Sequence, residues 1–286
     1  MGKADLHIHT TASDGHISPS DAISSAISHK LDIIAITDHD TINGYLEAEK
    51  IARNKDEIEL IPGIEVTSDF NGRECHLLAY CFEPKHYAIK KMVHVHRQSR
   101  LKRGEWIIKQ LAKKGFELDI KEVKAEARGG NIGRPHIAAV LQDKGYVASY
   151  KEAFVRHLSD QQLGDIYNEY YSHTKVIETV KGAGGAVVIA HPGRLYSNKE
   201  LERLVAAGVD GIEVIHPSHS YDIQKNMEDF AESHHLLKMG GSDFHGSNKN
   251  YQKHFGIVTI NTRNVSHLRR MTEQRKINLN NVTSKY

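Results

Sequence analysis

Apolar positions in this chain follow two alternating rhythms. Residues 3–9 alternate apolar and polar, as a short strand does, and residues 31–36 form an apolar run suited to a strand buried on both faces. Between them Ser18-Pro19-Ser20-Asp21 reads as an N-cap followed by proline at the first helical position, and Ala22, Ile23, Ala26 and Ile27 recur at helical spacing. This is a β-α-β unit. The spacing predicts a further helix over 42–53 and strands over 59–64, 75–80, 186–189, 211–215, 236–239 and 257–260, with helices over 198–206 and 222–233. Strands alternating with helices imply parallel pairing and right-handed crossovers, hence an α/β fold with a closed or distorted barrel.

One stretch departs from the rhythm. From about residue 86 to residue 171 no buried strand is visible; 88–114 reads as one long basic helix, and 135–144 and 150–157 as shorter ones. The expected division is a barrel of 1–82 and 172–286 with a helical insertion at 83–171, entered at Glu83-Pro84 and left at Tyr170-Tyr171-Ser172-His173. No internal repeat is present, and the polar residues from Asn278 onward are expected to fray. A length of 286 residues fits one barrel-sized domain with an insertion.

Composition narrows the function by exclusion. With 38 basic and 36 acidic side chains the net charge is +2, which gives no global field for nucleic acid and leaves only local contacts. No apolar stretch is long enough to span a bilayer and the N-terminus lacks the regions of a signal peptide, so a cytoplasmic protein without membrane contact is expected. Cys75 and Cys81 are too few for a disulfide framework or a thiolate zinc site and read as reduced and structural. Only histidine is in excess, at 20 residues.

The histidines fall where an active site forms. His7 and His9 are two apart on a strand and therefore share a face. Asp14 lies in the loop that follows; His39 comes after the 33–36 strand, Glu65 after the strand ending at Ile64, His191 after Val187-Val188-Ile189, and Asp243 and His245 after the strand ending near Gly240. His76 begins or sits within the strand after Glu65. The carboxyl ends of strands are where (β/α) barrels build their sites. Imidazole with carboxylate and no thiolate suits zinc, manganese or iron, and nine candidate ligands exceed what one ion needs, so two to three divalent ions are implied. Such a pocket is net positive and favours a phosphate ester, with metal-generated hydroxide as the attacking group on phosphorus.

At this level of detail the chain resembles a known superfamily. Asp5-Leu6-His7-Ile8-His9-Thr10, Ser13-Asp14-Gly15, Thr37-Asp38-His39-Asp40-Thr41, Gly63-Ile64-Glu65, Ala190-His191-Pro192 and Gly241-Ser242-Asp243-Phe244-His245 are similar, in order, to the motifs of the PHP (polymerase and histidinol phosphatase) superfamily. The resemblance implies a distorted (β/α)7 TIM-like barrel with three metals. It assigns His7, His9, Glu65 and Asp243 to one ion, Asp14, His39 and His245 to a second, and Glu65, His76 and His191 to a third. The insertion, with Asn131-Ile132-Gly133-Arg134-Pro135-His136-Ile137-Ala138, resembles the branch acting on nucleoside 3′,5′-bisphosphates and RNA 5′ ends. Arg134 before a proline at a helix start also suits an anion on physical grounds, and His136 adds a second donor to phosphate.

Lesser candidates complete the picture. Asp38 reads as a residue orienting His39 or a metal-bound water, Asp40 as a helix N-cap, and His216, after the 211–215 strand, as a group that touches substrate or protonates the leaving oxygen. Arg97, Arg100, Lys102 and Arg103 read as a solvated basic face. The expected activity is metal-dependent hydrolysis of a nucleotide or short RNA phosphate ester, releasing inorganic phosphate and needing no obligate protein partner. A histidinol-phosphate-type phosphatase and a non-catalytic metal-binding regulator are the alternatives. A polymerase proofreading module is disfavoured, since 286 residues leave no room for the polymerase.

Overall fold

The computed structural model describes residues 2–163, 169–246 and 254–283. Strand β1 (Lys3–Ile8) connects through helix α1 (Pro19–Ser28) to β2 (Ile33–Ile36), which pairs parallel with it. The start of α1 is fixed by Ser18, whose Oγ accepts from the Asp21 N–H at 3.0 Å, and by Pro19 in a first turn where its missing N–H costs nothing. Helix α2 (Asn43–Ala52) leads to β3 (Glu59–Ile61), parallel to β2. The expected strand over 59–64 is split at Pro62, which has no N–H for a ladder. Beyond it β4 (Gly63–Phe70) belongs to a second sheet and pairs antiparallel with β5 (Arg73–Tyr80). Their connection is the dipeptide Asn71-Gly72, both at positive φ, a hairpin turn with no room for a crossover helix.

Between β5 and the next strand every described element is a helix. Helices α3 (Tyr87–Lys113), α4 (Ile120–Glu126), α5 (Arg134–Asp143), α6 (Tyr150–Ala153) with a π-helical turn over Phe154–Leu158, and α7 (Asp160–Leu163) gather around their own apolar cluster, with Ile107, Leu111, Val123, Ile137 and Leu141 at its centre. The chain returns through α8 (His173–Gly182) to β6 (Ala186–Ile189), antiparallel to β5. Parallel order then resumes through α9 (Asn198–Ala207), β7 (Gly211–Ile215), α10 (Tyr221–Ser233) and β8 (Leu237–Gly240). Last come β9 (Ile260–Asn261), antiparallel to β1, and α11 (Thr262–Thr283).

The fold is therefore mixed α/β with sheets β3-β2-β1-β9 and β4-β5-β6-β7-β8, and the expectation of parallel pairing throughout is corrected at three pairs, β4–β5, β5–β6 and β1–β9. Of the strand expected over 257–260 only Ile260 is in a strand, and the tail expected to fray from Asn278 continues α11 to Thr283. Helix α11 is held from its first turns, where Val265 and Leu268 are buried.

The sheets share one interior: Leu6 and Ala35 from the first pack with Leu78, Tyr80, Val188 and Met239 from the second, and the Tyr80 hydroxyl donates across to Leu6 O at 2.8 Å. They also meet at two seams. At one, Asp40 N donates to Glu65 O at 2.8 Å and Glu65 N to Thr37 O at 3.1 Å; at the other, His9 N donates to Phe244 O at 2.8 Å and Phe244 N to His7 O at 3.3 Å. Both seams run through the candidate residues. No described helix is long and apolar enough to cross a membrane.

Candidate metal centre

The nine side chains expected as ligands converge. Glu65 is the hub: its Oε2 lies 3.2 Å from His7 Nε2, 3.2 Å from His9 Nε2 and 3.3 Å from His39 Nδ1, and its Oε1 lies 2.9 Å from both His76 Nδ1 and His191 Nε2. Asp243 Oδ1 faces His7 Nε2 at 3.3 Å and His9 Nε2 at 3.2 Å, while Asp14 faces His9, His39 and His245 at 3.6–3.9 Å. Glu65 is not past a strand end as expected but inside β4, carried there by the break at Pro62. His191 and Asp243 sit at positive φ, 28° and 48°, a backbone form that non-glycine residues rarely adopt and that clusters at functional sites.

Several of these atoms have no hydrogen-bond partner. Both ring nitrogens of His9, Nδ1 of His39 and Oδ1 of Asp14 are buried without one among the described residues, although carboxylates and imidazoles surround them. Orphaned buried polar atoms cost about 1–3 kcal/mol each unless something else binds them. Groups of ligand atoms within 4.8 Å of one another, among the described residues, are His9, Asp14, His39 and His245; His7, His9 and Asp243; His7, Glu213 and His216; and His39, Glu65 and His76. These groupings put His7, His9 and His39 in two places each and leave out His191, which nonetheless reaches Glu65 and lies 3.3 Å from His76 Nδ1. The donor set is nitrogen and carboxylate oxygen, so the residues fit divalent transition ions.

Charge gives the same answer. Burial raises the Glu65 carboxyl, yet His39, His76 and His7 outweigh it and hold it well below the usual range; His7 and His245 do the same to Asp243. Against burial, Asp243 and Glu65 push His9 up to about 10, and Glu65 and Glu74 do the same for His76. His39 goes the other way, to about 3, because burial there exceeds the pull of Glu65 and Asp14. Without cations the cluster holds its carboxylates only by taking up protons. Metal ions held by these residues would take the place of those protons.

The structure adds residues that the sequence reading missed. Glu213 is fully buried on β7; its Oε1 accepts from His7 Nδ1 at 3.0 Å and its Oε2 from His191 N at 2.6 Å. Glu74 Oε1 accepts from His76 Nε2 at 3.0 Å, and His245 Nδ1 donates to Asp243 O at 2.9 Å. The contacts to His7, His76 and His245 each take up one ring nitrogen and leave the other for the cluster, as in carboxylate–histidine–metal triads. Asp5 accepts from Ser242 N at 2.9 Å and His7 N at 3.3 Å, tying β1 to the β8 loop, and burial pushes its carboxyl up to about 6. The available signal was an acid inside an otherwise apolar strand, as in Gly211-Ile212-Glu213-Val214-Ile215.

Other expectations change. Asp38 is buried, but its oxygens accept from Thr10 N, Thr10 Oγ1 and Ser13 Oγ, each at 2.7 Å, so it clasps the loop that carries Asp14. Asp40 is no N-cap: the cap of α2 is Ile42, and Asp40 accepts from Arg100 Nε at 2.6 Å, His96 Nδ1 at 2.9 Å and Thr67 N at 2.8 Å. Arg100 and Arg103 are therefore buried, not solvated; Arg103 Nη2 donates to Glu74 Oε2 at 2.7 Å. A run of four basic residues on a helix necessarily turns some of them inward, and here acids await them.

The proposed substrate residues lie beside the cluster. His136 is buried and its Nδ1 accepts from Gly133 N at 3.0 Å; Arg134 Nη2 lies 3.7 Å from Glu74 Oε2 and its Nη1 donates to Leu158 O at 3.4 Å. His216 Nε2 lies 3.3 Å from Asp243 Oδ2, and its Nδ1 accepts from Ser218 N at 3.2 Å.

Comparison with known proteins follows the same lines. A family profile described as PHP domain matches residues 5–271. A 5′-3′ exoribonuclease of Haemophilus influenzae is 34% identical over 85% of this chain and 90% of its own length. A 3′,5′-nucleoside bisphosphate phosphatase of Chromobacterium violaceum is 32% identical, covering 86% and 88%. A solved structure from Bifidobacterium adolescentis, designated a metal-dependent phosphoesterase, superposes with a TM-score of 0.84 at 32% identity, over 94% of this chain and 96% of the other.

Proposed function

This chain belongs to the PHP domain family, and from that premise we propose that it hydrolyses phosphate esters of nucleotides, either nucleoside 3′,5′-bisphosphates or the 5′ ends of short RNA. The observation that carries the reading is the convergence of six imidazoles on Glu65, Asp14 and Asp243 with orphaned nitrogens among them. The named activities of the exoribonuclease and the bisphosphate phosphatase support the nucleotide. The two sheets, hydrogen-bonded at both seams, are taken as a distorted (β/α)7 barrel carrying 83–171 as an insertion, and two buried unpaired thiols suit a cytoplasmic setting.

The nine converging residues would hold two or three divalent ions, manganese, zinc or iron. Such ions supply a nucleophile at neutral pH and offset the charge that builds on phosphate oxygens. The chain's own groups bind and orient. His136 accepts at Nδ1, so the neutral ring keeps its proton at Nε2 and donates from there to a phosphate oxygen; burial lowers its pKa and keeps it neutral. Arg134 offers its guanidinium to a second phosphate. His216 accepts at Nδ1 from Ser218 N and so presents its Nε2–H beside Asp243, where it can hydrogen-bond a leaving oxygen.

The test is phosphate release by manganese-supplemented protein from adenosine 3′,5′-bisphosphate, a 5′-phosphorylated RNA oligomer and histidinol phosphate. Release from either nucleotide substrate, lost in His191→Ala, is expected. Release from histidinol phosphate alone would contradict the nucleotide reading, and metal binding with no release from any of them would favour the regulator.

A further inference from the structure

Where the insertion meets the β1–α1 loop there is a cavity of about 160 Å3. It shares Asp14 and His136 with the site above. Cavities that take a whole small molecule run to about 300–1,000 Å3, so this one takes a single planar moiety of a substrate that extends to the cluster. Helix α5 lines it with apolar Pro135 and Ala139 and with polar Gln142 and Asp143; His16 and Tyr150 line it as well, and Arg128 brings a further hydrogen-bonding group.

The cavity is built by close approach of two segments. Asn131 N donates to Ala12 O at 3.1 Å, and a Cβ on Gly130 would stand 2.7 Å from Thr11 O, so only glycine lets the insertion come so near. Asn131 Nδ2 donates to both His39 O and Asp40 O at 2.9 Å, which ties the same loop to the metal-ligand segment. Arg128, on the cavity's edge, sits at φ 49°.

We propose that this cavity is a nucleobase subsite, which receives the heteroaromatic base of a nucleotide whose phosphate lies at the histidine–carboxylate cluster. The inference rests on the nucleotide reading given above. Two aromatic residues beside Pro135 and Ala139 suit a flat ring, and base stacking tolerates any base because each has a π-face. Gln142 both donates and accepts and so matches the edge of a purine or a pyrimidine. A second phosphate does not suit the cavity, because Glu126 and Asp143 also line it. Arg134 is left for that phosphate.

The experiment compares kcat/KM of the manganese-supplemented chain for adenosine 3′,5′-bisphosphate and for its baseless counterpart, 1-deoxyribose 3,5-bisphosphate. The native chain is expected to favour the base-bearing substrate by roughly tenfold or more, the effect of one stacked base. Ala139→Phe, which fills the cavity, is expected to bring the ratio close to one, and Tyr150→Leu, which removes only the ring, to lower it in part. Calorimetry on the metal-free chain is expected to show adenosine 5′-monophosphate losing its advantage over ribose 5-phosphate in both variants. A native chain that treats the two bisphosphates alike, or a ratio unmoved in both variants, would overturn the subsite while leaving the phosphoesterase in place. A native chain that hydrolyses neither bisphosphate nor RNA, but releases phosphate from histidinol phosphate, would overturn the nucleotide reading and the subsite together.

Discussion

Glu213 is fully buried, and it sets the position of two residues of the candidate metal centre, the His7 ring and the His191 backbone. Removing a carboxylate that orients a ligating imidazole typically lowers metal affinity or activity 10–100-fold. Glu213→Gln is therefore expected to weaken manganese binding by about that factor, read by competition with a chelating dye, with little change in circular dichroism; unchanged affinity would count against a positioning role. Asp40 has a structural job of similar weight, since it neutralises Arg100 in a buried pair. Asp40→Asn leaves that guanidinium without its counter-charge, at a cost of about 3–5 kcal/mol in denaturant unfolding. Burial opposes ionisation of Asp40, but Arg100 and His96 outweigh it and hold the carboxyl far below its ordinary value. Its stabilisation is thus complete above the ordinary carboxylate pKa and is lost as pH falls through the lower, folded one. The candidate ligands were legible at this scale because His, Asp and Glu past apolar runs are conspicuous. Asp40, Glu74 and Glu213 were not, because their partners lie far along the chain.

Elements fix where those residues stand. The loop after β1 carries Asp14 and is clasped by Asp38, with Gly44 of α2 pressed against the clasp: a Cβ there would lie 1.9 Å from Asp38 Oδ2 and 2.7 Å from Thr10 Oγ1. Gly44→Ala is expected to displace the loop and lower turnover at least tenfold although the residue touches no candidate ligand, with overpacking costing about 1–3 kcal/mol in thermal melts. A melt and a turnover like those of the native chain would show that α2 yields there. Helix existence was readable wherever apolar spacing and a cap coincided, as at Ser18-Pro19 or over 198–206. The second sheet was misread for a physical reason: periodicity gives no direction of pairing. The hairpin signal was present as Asn71-Gly72, and Pro62 marked the end of the preceding strand.

Across the whole molecule, the helices between β5 and β6 and the sheets meet at the candidate site. Arg103 of α3 reaches Glu74, which holds His76, so a helix of the insertion orients a ligand on β5. Arg103→Ala is expected to loosen metal binding about 10–100-fold, in the manner of other residues that support ligands, and selectively at His76. Paramagnetic relaxation of the His76 ring protons in the manganese-titrated chain checks this, and an unaltered titration would separate the insertion from metal binding. That coupling could not be read from a run of basic residues, whereas the break in strand rhythm at 86–171 could. The buried histidine–carboxylate cluster is expected to hydrolyse phosphate esters through the cations it holds. The most direct test is to strip the chain with chelator, restore manganese stepwise, and follow bound ions and phosphate release from adenosine 3′,5′-bisphosphate together. Release that rises with occupancy to two or three ions per chain, and that Glu65→Ala abolishes, is the predicted result; undiminished release by the stripped chain, or none at full occupancy, would contradict it.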